Sequence, residues 1–216
     1  MIRFLALFAF LALPLAGCGG GAPADNGSNA AKAAAPAPPR APTPDVAQVR
    51  IETEMGAITV ELDGRRAPLT TANFLAYVDQ HRFDGTSFYR AARTRGAEGR
   101  GFVQGGIRRN YRLMLAPVAH EPTSRTGLRH GDGTISMARG DPGSAMGNFF
   151  ITIGAMPQMD AQGADQGFAA FGRVVEGMET VRRILAAPTV ANAGSGAMRG
   201  QMITAPVRII SARRVE

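Results

Sequence analysis

Hydrophobic and polar residues alternate in two neighbouring stretches of the chain, at 48–54 and 58–62, with Gly56 between them. A period of two is typical of strands that bury one face, and a glycine between two such stretches favours a tight turn. We therefore predict that the folded part of the chain begins near Gln48 with a β-hairpin.

Two segments have the spacing of amphipathic helices. The first is expected from Pro68 to about Asp79, because proline suits the first turn of a helix and the apolar residues after it fall on one face. The second is expected from Met178 to about Ala186, directly after Gly177. The two helices are far apart in the sequence, so most of the chain must fold in another way.

Six short apolar segments outside the helices predict further strands. They lie near Ser87–Ala91, Phe102–Gly105, Gly133–Ala138, Phe149–Ile153, Ala169–Val174 and Val207–Ala212. Many short strands with two isolated helices are typical of a closed barrel. We predict a mainly β fold, a closed antiparallel eight-stranded barrel capped by two α-helices.

Composition and charge narrow the range of partners. The chain has 216 residues, 45% of them hydrophobic, which is enough for one domain with accessory segments. The formal net charge is +7, and Lys32 is the only lysine. The arginines are scattered rather than grouped in short runs, so we expect no nucleic-acid partner. The denser stretch from Arg90 to Arg112 is interpreted as a solvated loop, with attraction to anionic lipid or other polyanions as the alternative.

The N-terminus has the pattern of a secretory signal, which we place at residues 1–17. Arg3 precedes an apolar stretch at 4–15 that is short for a membrane-spanning helix, and small residues then lead to Cys18. The tetrapeptide L-A-G-C resembles the bacterial lipoprotein signal, which implies cleavage before Cys18 and acylation of that cysteine. By the same resemblance Gly19 favours the outer membrane. An ordinary cleaved signal with an incidental cysteine is the alternative.

The segment after the signal, residues 18–47, is expected to be a tether. It carries Gly, Ala, Pro, Asn and Ser and almost no large apolar side chain. Such a segment cannot bury enough surface to offset the entropy lost on ordering, so we expect it to be disordered. It would hold the folded domain, residues 48–216, off a membrane on the periplasmic side of the cell envelope.

Seven motifs follow one another through the predicted barrel. In chain order they are T-x-x-N-F (Thr70–Phe74), F-D-G-T-x-F-Y-R (Phe83–Arg90), F-V-Q-G-G (Phe102–Gly106), G-T-I-S-M-A (Gly133–Ala138), N-F-F-I-T (Asn148–Thr152), F-A-A-F-G-R-V (Phe168–Val174) and G-M-E-T-V (Gly177–Val181). Each motif alone is weak, but the ordered set across Gln48–Ala187 resembles the cyclophilin family of peptidyl-prolyl cis-trans isomerases. The resemblance implies an enzyme that needs no cofactor.

The implied reaction is rotation about the X–Pro peptide bond. Its partial double bond gives a barrier of ~20 kcal/mol, and the proline nitrogen regains a lone pair when the amide twists. A protein that binds the twisted form best accelerates the exchange, and a fixed guanidinium suits this task because it stays charged and carries a fork of donors. By resemblance Arg90 is the catalytic group, and Gln104 binds the substrate backbone and helps to orient Arg90.

The resemblance also implies a set of substrate-binding residues around the proline. Its members are Phe150 as the pocket floor, Phe102 as an aromatic wall, Ala138 and Asn148 along the backbone groove, and Met159 and Phe168 closing the pocket.

Phe102 and Asn148 are among the residues that depart from the family pattern. Phe102 stands two positions before Gln104, where many relatives have a phenylalanine three positions before it. Either Phe102 enters the pocket through a local slip or one wall is missing, because a shift of one residue in a strand reverses the side chains. Asn148 replaces the usual glutamine and is one methylene shorter.

Other kinds of site have weaker support in the sequence. His81, His120 and His130 lack the spacing of metal ligands, so no metal site is expected. Ser136 lies inside a strand pattern, with no adjacent histidine and no nucleophile elbow, so it is not a candidate nucleophile.

These observations predict a monomeric, membrane-tethered isomerase that acts on proline-containing polypeptides folding in the envelope. Isomerisation of X–Pro bonds can limit folding, which gives such an enzyme a task there. The alternative is a catalytically weak proline-peptide-binding module or holdase on the same fold. A third option is a structural envelope lipoprotein whose arginine loops bind anionic surfaces.

Overall fold

The computed structural model describes residues 43–108 and 110–215. The sequence-predicted signal at 1–17, the lipidation site Cys18 and almost all of the tether lie outside the described residues. Within the described part of the chain, no helix is long and apolar enough to cross a membrane.

The described residues form nine strands and three α-helices. The strands are β1 (Val46–Thr53), β2 (Gly56–Asp63), β3 (Ser87–Arg93), β4 (Gly101–Gly106), β5 (Thr134–Met137), β6 (Asn148–Ile153), β7 (Ala169–Glu176), β8 (Thr189–Val190) and β9 (Met202–Val215). The helices are α1 (Pro68–Asp79), α2 (Thr123–Thr126) and α3 (Met178–Ala186). Strands β1 to β7 and β9 correspond to the eight strands predicted from the sequence, and α1 and α3 to the two predicted helices.

Eight of the strands close into a barrel. Neighbouring strands follow the order β1-β2-β7-β5-β6-β4-β3-β9, and β9 pairs with β1 to complete the ring. Every pairing in the ring is antiparallel. The two-residue strand β8 pairs only with β9 and lies outside the ring. The predicted closed antiparallel eight-stranded barrel is therefore confirmed.

Helix α1 begins where the sequence predicted, but a distant residue satisfies its first turn. The buried Glu121 carboxylate accepts hydrogen bonds from the backbone N–H of Leu69 at 3.2 Å and of Thr70 at 2.7 Å. The Thr70 hydroxyl donates to the same carboxylate at 2.6 Å. A negative charge is favourable at this end of a helix, because the free N–H groups there carry partial positive charge.

Aromatic rings fill the interior of the barrel. The fully buried rings are those of Phe74, Tyr77, Phe83, Phe88, Phe149 and Phe171. The Phe149 ring is central, with its centroid 5.4 Å from those of Phe74 and Phe83 and 5.6 Å from that of Phe88, all in edge-on contact. Edge-to-face packing of this kind adds to the free energy gained from burying the rings.

Strand β6 divides its two phenylalanines between opposite faces. Phe149 points into the core, while Phe150 belongs to a separate apolar cluster with Ala92, Phe102 and Met156. This follows from strand geometry, since consecutive side chains point to opposite faces. The barrel wall thus carries one aromatic cluster inside and a second cluster outside.

Truncating the central ring tests the interior packing. Phe149→Ala should lower the free energy of unfolding by about 3–5 kcal/mol, because a fully buried phenylalanine leaves a cavity. Urea unfolding followed by circular dichroism measures the change. Ile210→Ala is the control, because that side chain is 54% exposed, and its effect should stay within about 0.5 kcal/mol. Equal losses in the two variants would contradict the assignment of Phe149 to the core.

Candidate active site

One pocket on the outer face of the barrel brings together all eight side chains that the sequence assigned to catalysis or substrate binding. Its volume is about 360 Å³. The predicted members of its lining are Arg90, Phe102, Gln104, Ala138, Asn148, Phe150, Met159 and Phe168. The remaining lining residues, which the sequence did not predict, are Arg139, Gly140, Ser144, Met146 and Met198. The structure thus places the predicted residues together, while their individual roles stay predictions.

Three phenylalanine rings form the apolar part of this pocket. The ring centroid of Phe150 lies 5.3 Å from that of Phe102 and 5.4 Å from that of Phe168, and the second pair meets edge-on. Met156 and Met159 pack against the same cluster. An apolar hollow of this kind suits the ring of a proline side chain.

Phe102 lines the pocket without any slip of its strand. It stands two residues before Gln104 in β4, and residues two apart share one face of a strand. Gly101 has no side chain to supply a wall, and a Cβ atom at that position would clash with the backbone oxygen of Ala92. The sequence left open whether the pocket has this aromatic wall. The wall is present, and Phe102 supplies it.

Strand register aligns the polar residues beside these rings. Arg90 in β3 pairs with Gln104 in β4, and Gln104 pairs with Phe150 in β6. A bulge between Phe88 and Arg90 shifts the register of β3 at this point. Bulges re-aim side chains, and they are common next to active sites.

The Arg90 guanidinium is held by two glutamines. Its Nε donates to Oε1 of Gln201 at 2.9 Å, and one terminal nitrogen donates to Oε1 of Gln104 at 2.9 Å. Its central carbon lies 4.8 Å from the centroid of the Phe102 ring, a cation–π contact. Burial lowers the pKa of Arg90 below its ordinary value, but a guanidinium stays protonated in proteins.

A chain of hydrogen bonds extends from Arg90 along the groove. Gln104 accepts from Arg90 and donates through Nε2 to the hydroxyl of Tyr89 at 2.8 Å, which fixes the orientation of its amide. The Tyr89 hydroxyl in turn donates to Oδ1 of Asn148 at 3.3 Å. Burial raises the pKa of Tyr89, opposed by the hydrogen bond from Gln104 and by the charges of Arg90 and Arg108, so the phenol stays neutral at pH 7.

Asn148 also fixes the turn that follows β4. Its Oδ1 accepts from the backbone N–H of Arg108 at 2.7 Å, and its Nδ2 donates to the backbone oxygen of Arg108 at 3.2 Å. The shorter side chain noted in the sequence is thus engaged with the protein's own backbone as well as lining the pocket.

Arg139 closes the opposite side of the pocket. Its guanidinium donates to the backbone oxygen of Gly167 and lies 5.0 Å from the centroid of the Phe168 ring. The backbone N–H of Phe168 donates to the backbone oxygen of Met159 at 2.9 Å. These contacts hold the segment that carries Met159 and Phe168, the two residues that the sequence predicted to close the pocket.

Arginine dominates the charge of the pocket lining. Arg90 and Arg139 line the pocket, and no Asp or Glu side chain is among its lining residues. Across residues 43–108 and 110–215, no group of three His, Cys, Asp or Glu side chains is placed to hold a metal ion. The chemistry available here is that of fixed positive charge, amide hydrogen bonding and an apolar hollow.

Beneath the pocket floor, the fold assembles a hydrogen-bonded set that the sequence did not reveal. His130 Nδ1 lies 2.7 Å from Oδ1 of Asp160, and His130 Nε2 lies 2.9 Å from Oγ of Ser136. The imidazole stacks on the Phe150 ring at a centroid distance of 5.8 Å. Ser136 thus has a histidine partner six residues before it in the sequence, although no histidine is adjacent to it in the chain.

This set supports the pocket floor and is closed to substrate. Ser136 is 0% exposed and His130 is 2% exposed, so the hydroxyl cannot reach a bound peptide. Burial lowers the pKa of His130 despite the opposing hydrogen bond and charge of Asp160. A neutral ring that donates from Nδ1 to the carboxylate accepts at Nε2 from the serine hydroxyl, which fixes the plane on which Phe150 rests.

The histidine gives a pH-dependent prediction. The folded protein keeps His130 neutral below the unfolded pKa of about 6.5, so the free energy of unfolding should be highest above that pH. It should fall as the pH drops from about 6.5 towards the folded pKa, because the unfolded chain gains the proton first. Nuclear magnetic resonance titration of the imidazole, assigned with His130→Gln, measures the pKa of His130 in the folded protein. Urea unfolding at several pH values measures the free energy of unfolding. A His130 pKa at or above 6.5 would contradict the neutral ring.

Comparison with known proteins identifies the family of this chain. Residues 48–214 match the family model described as "Cyclophilin type peptidyl-prolyl cis-trans isomerase/CLD". A peptidyl-prolyl cis-trans isomerase of Acinetobacter baylyi is 33% identical over 164 residues, which cover 76% of this chain and 82% of that protein. Peptidyl-prolyl cis-trans isomerase A of Dickeya dadantii is 36% identical over 137 residues, which cover 63% of this chain and 70% of that protein.

Solved structures share the barrel. A crystal structure of a cyclophilin-type peptidyl-prolyl cis-trans isomerase from Cryptosporidium parvum matches with a TM-score of 0.63 at 21% identity, and covers 79% of this chain and 98% of that one. A second structure of the same protein, obtained in the presence of the dipeptide Ala-Pro, matches with a TM-score of 0.62. Since the family model spans the whole barrel, this chain belongs to the cyclophilin-type peptidyl-prolyl cis-trans isomerases, enzymes that interconvert cis and trans X–Pro peptide bonds.

Proposed function

We propose that the isomerase binds proline-containing polypeptides in the pocket around Phe150 and uses Arg90 as its catalytic group. One observation carries this assignment. Arg90 is a half-buried positive charge that two glutamine side chains hold beside the apolar hollow, with no carboxylate in the lining to neutralise it. Such a charge is available to a substrate.

The reaction needs stabilisation of one geometry. At the transition state the X–Pro amide is twisted, conjugation is lost and the proline nitrogen carries a lone pair. Partial burial strengthens the attraction between that lone pair and the Arg90 guanidinium relative to the same contact in water. No proton is transferred and no bond is broken.

The apolar rings supply the second requirement, which is a fixed proline. Phe102, Phe150 and Phe168 surround the hollow, and Met159 lies beside them. Holding the proline ring leaves the residue before it free to rotate about the peptide bond. Gln104, held by Arg90 and Tyr89, presents its amide to the substrate backbone.

Removing the guanidinium tests this mechanism. Arg90→Ala should reduce kcat/KM for a short X–Pro peptide by at least ~100-fold, the scale of one lost electrostatic stabiliser. A protease-coupled assay or exchange spectroscopy by nuclear magnetic resonance measures the rate. Arg112→Ala is the matched control, because that arginine is exposed and is not among the residues that line the pocket. Its kcat/KM should equal that of the wild type.

The same assay separates the enzyme from the rival function. Equal rates for Arg90→Ala and the wild type would show that another group carries the reaction. A wild type that binds the peptide without accelerating its exchange would favour a proline-peptide-binding module or holdase.

We further propose that the enzyme acts in the cell envelope, attached to the outer membrane through acylated Cys18. The support is the sequence pattern, in which a signal-like segment at 1–17 ends at this cysteine and a Pro- and Ala-rich stretch to residue 47 separates it from the barrel. Several acyl chains on one residue meet the requirement for stable anchoring. The substrates would then be secreted or outer-membrane polypeptides that are still folding.

Cys18→Ser tests the anchor. The variant should move from the membrane fraction to the soluble fraction or remain unprocessed, because no other cysteine can take its place. Fractionation of cells and mass spectrometry of the N-terminus measure both outcomes. Ala16→Gly is a control that changes the signal but keeps the cysteine. Unchanged membrane fractionation of Cys18→Ser with a normally processed N-terminus would count against lipidation.

A further inference from the structure

A second pocket of about 640 Å³ lies directly beside the first. Gln104, Asn148 and Met198 line both pockets and form the ridge between them. A peptide whose proline occupies the first pocket therefore has its neighbouring residues within reach of the second. None of the motifs that identify the family predicted this second pocket.

The second pocket has two unlike sides. One side comes from β8, β9 and the segment between them. It is mainly apolar, with lining residues Val190, Ala193, Met198, Met202, Ile203 and Pro206, and its polar members are Ser195 and Thr204. The other side is polar and carries Tyr89, Arg108 and Asn148. The pocket can thus accept a side chain that has both an aliphatic stem and a polar end.

Arg108 is held in place at this polar side. Its backbone has a φ of 52°, a left-handed conformation that is uncommon for residues other than glycine. The Asn148 side chain accepts from the backbone N–H of Arg108 through Oδ1 and donates to its backbone oxygen through Nδ2. The Arg108 guanidinium lies 5.5 Å from the centroid of the Tyr89 ring. The side chain is therefore directed along the wall of the pocket although it is exposed.

The charge of Arg108 has no acidic partner in the described part of the chain. None of the ion pairs there includes Arg108 or Arg90. Among residues 43–108 and 110–215, no Asp or Glu side chain lines either pocket, whereas Arg90, Arg108 and Arg139 do. The groove as a whole is electropositive, and Arg108 is the arginine that faces the second pocket.

We propose that Arg108 is a specificity-determining residue, which binds the carboxylate of an Asp or Glu side chain close to the substrate proline. The proposal rests on the proposed function, because it names the substrates that the Arg90 pocket prefers. The aliphatic stem of a glutamate would lie against Met198 and Met202, and its carboxylate would meet the guanidinium fork. Polypeptides with acidic residues beside proline are then the favoured substrates.

The size of the preference follows from the exposure of Arg108. A partly exposed ion pair should favour a Glu peptide over its Gln counterpart by about five-fold in affinity and in kcat/KM. The preference should shrink as salt is raised from about 0.02 M to 0.5 M, because salt screens exposed charges. Recognition by shape alone would not respond to salt.

Matched peptides test the proposal on the full-length protein. The two peptides of a pair carry Glu or Gln at the same position, either directly before or directly after an Ala-Pro unit, and are otherwise identical. Exchange spectroscopy gives kcat/KM, and chemical-shift titration gives Kd for each peptide. The proteins compared are the wild type, Arg108→Gln and Arg112→Gln. Arg112 is the control because it carries the same charge, follows Arg108 by four residues in the sequence and lines neither pocket.

The expected result is a Glu preference of the wild type at one or more positions, lost in Arg108→Gln and kept in Arg112→Gln. Equal affinity and rate for Glu and Gln peptides at every position would overturn the proposal while leaving the proposed function intact. A preference that both arginine variants reduce equally would also overturn it, because general attraction to net charge would then be the cause. If no peptide is turned over but binding still shows a Glu preference that Arg108→Gln abolishes, the proposed function would be refuted. The role of Arg108 in recognising acidic side chains would stand.

Discussion

The alignment of three neighbouring strands is the constraint on which the site depends. Closure of the barrel leaves β3, β4 and β6 no freedom of register, and this places Arg90, Gln104 and Phe150 side by side across the wall. A slip of one residue in any of these strands would turn its side chain into the core. The packing that fixes the register is therefore also what positions the charged group next to the apolar hollow.

The two phenylalanines of β6 show how stability and function share one strand. The ring of Phe149 is enclosed by other aromatic rings in the barrel, while Phe150 rests on the buried imidazole of His130 and forms the pocket floor. Arg90 is similarly held from two sides, by Gln104 within the ring of strands and by Gln201 just before β9. Substrate thus meets groups whose positions are set before it binds, which lowers the entropy lost in reaching the twisted geometry.

The sequence predicted those parts of the structure that depend on local pattern. Period-two alternation predicted β1 and β2, short apolar segments predicted the other barrel strands, and Pro68 predicted the start of α1. The family resemblance carried by the ordered motifs predicted the set of pocket residues. The same alternation would have answered the question about Phe102, since residues two apart in a strand share a face. A strand of only two residues, β8, is too short for periodicity to reveal.

Contacts between distant segments could not be predicted in this way. Gln201 lies 111 residues from Arg90, and Glu121 lies 51 residues from Thr70 in the helix turn that it caps. Asp160 is likewise 30 residues from His130. Each partner is an ordinary polar residue in its own segment, and only the folded chain brings the pair together.

A double-mutant cycle of Arg90 and Gln104 tests the central claim, that the strand-aligned glutamine acts by holding the catalytic guanidinium. Exchange spectroscopy on one X–Pro peptide would give kcat/KM for Arg90→Ala, Gln104→Ala, the double variant and the wild type. Because Gln104 also meets the substrate backbone, the double variant should be slower than Arg90→Ala alone, but by a much smaller factor than the one by which Gln104→Ala slows the wild type. Losses that multiply, so that the double variant is slower by the product of the two single effects, would contradict the account.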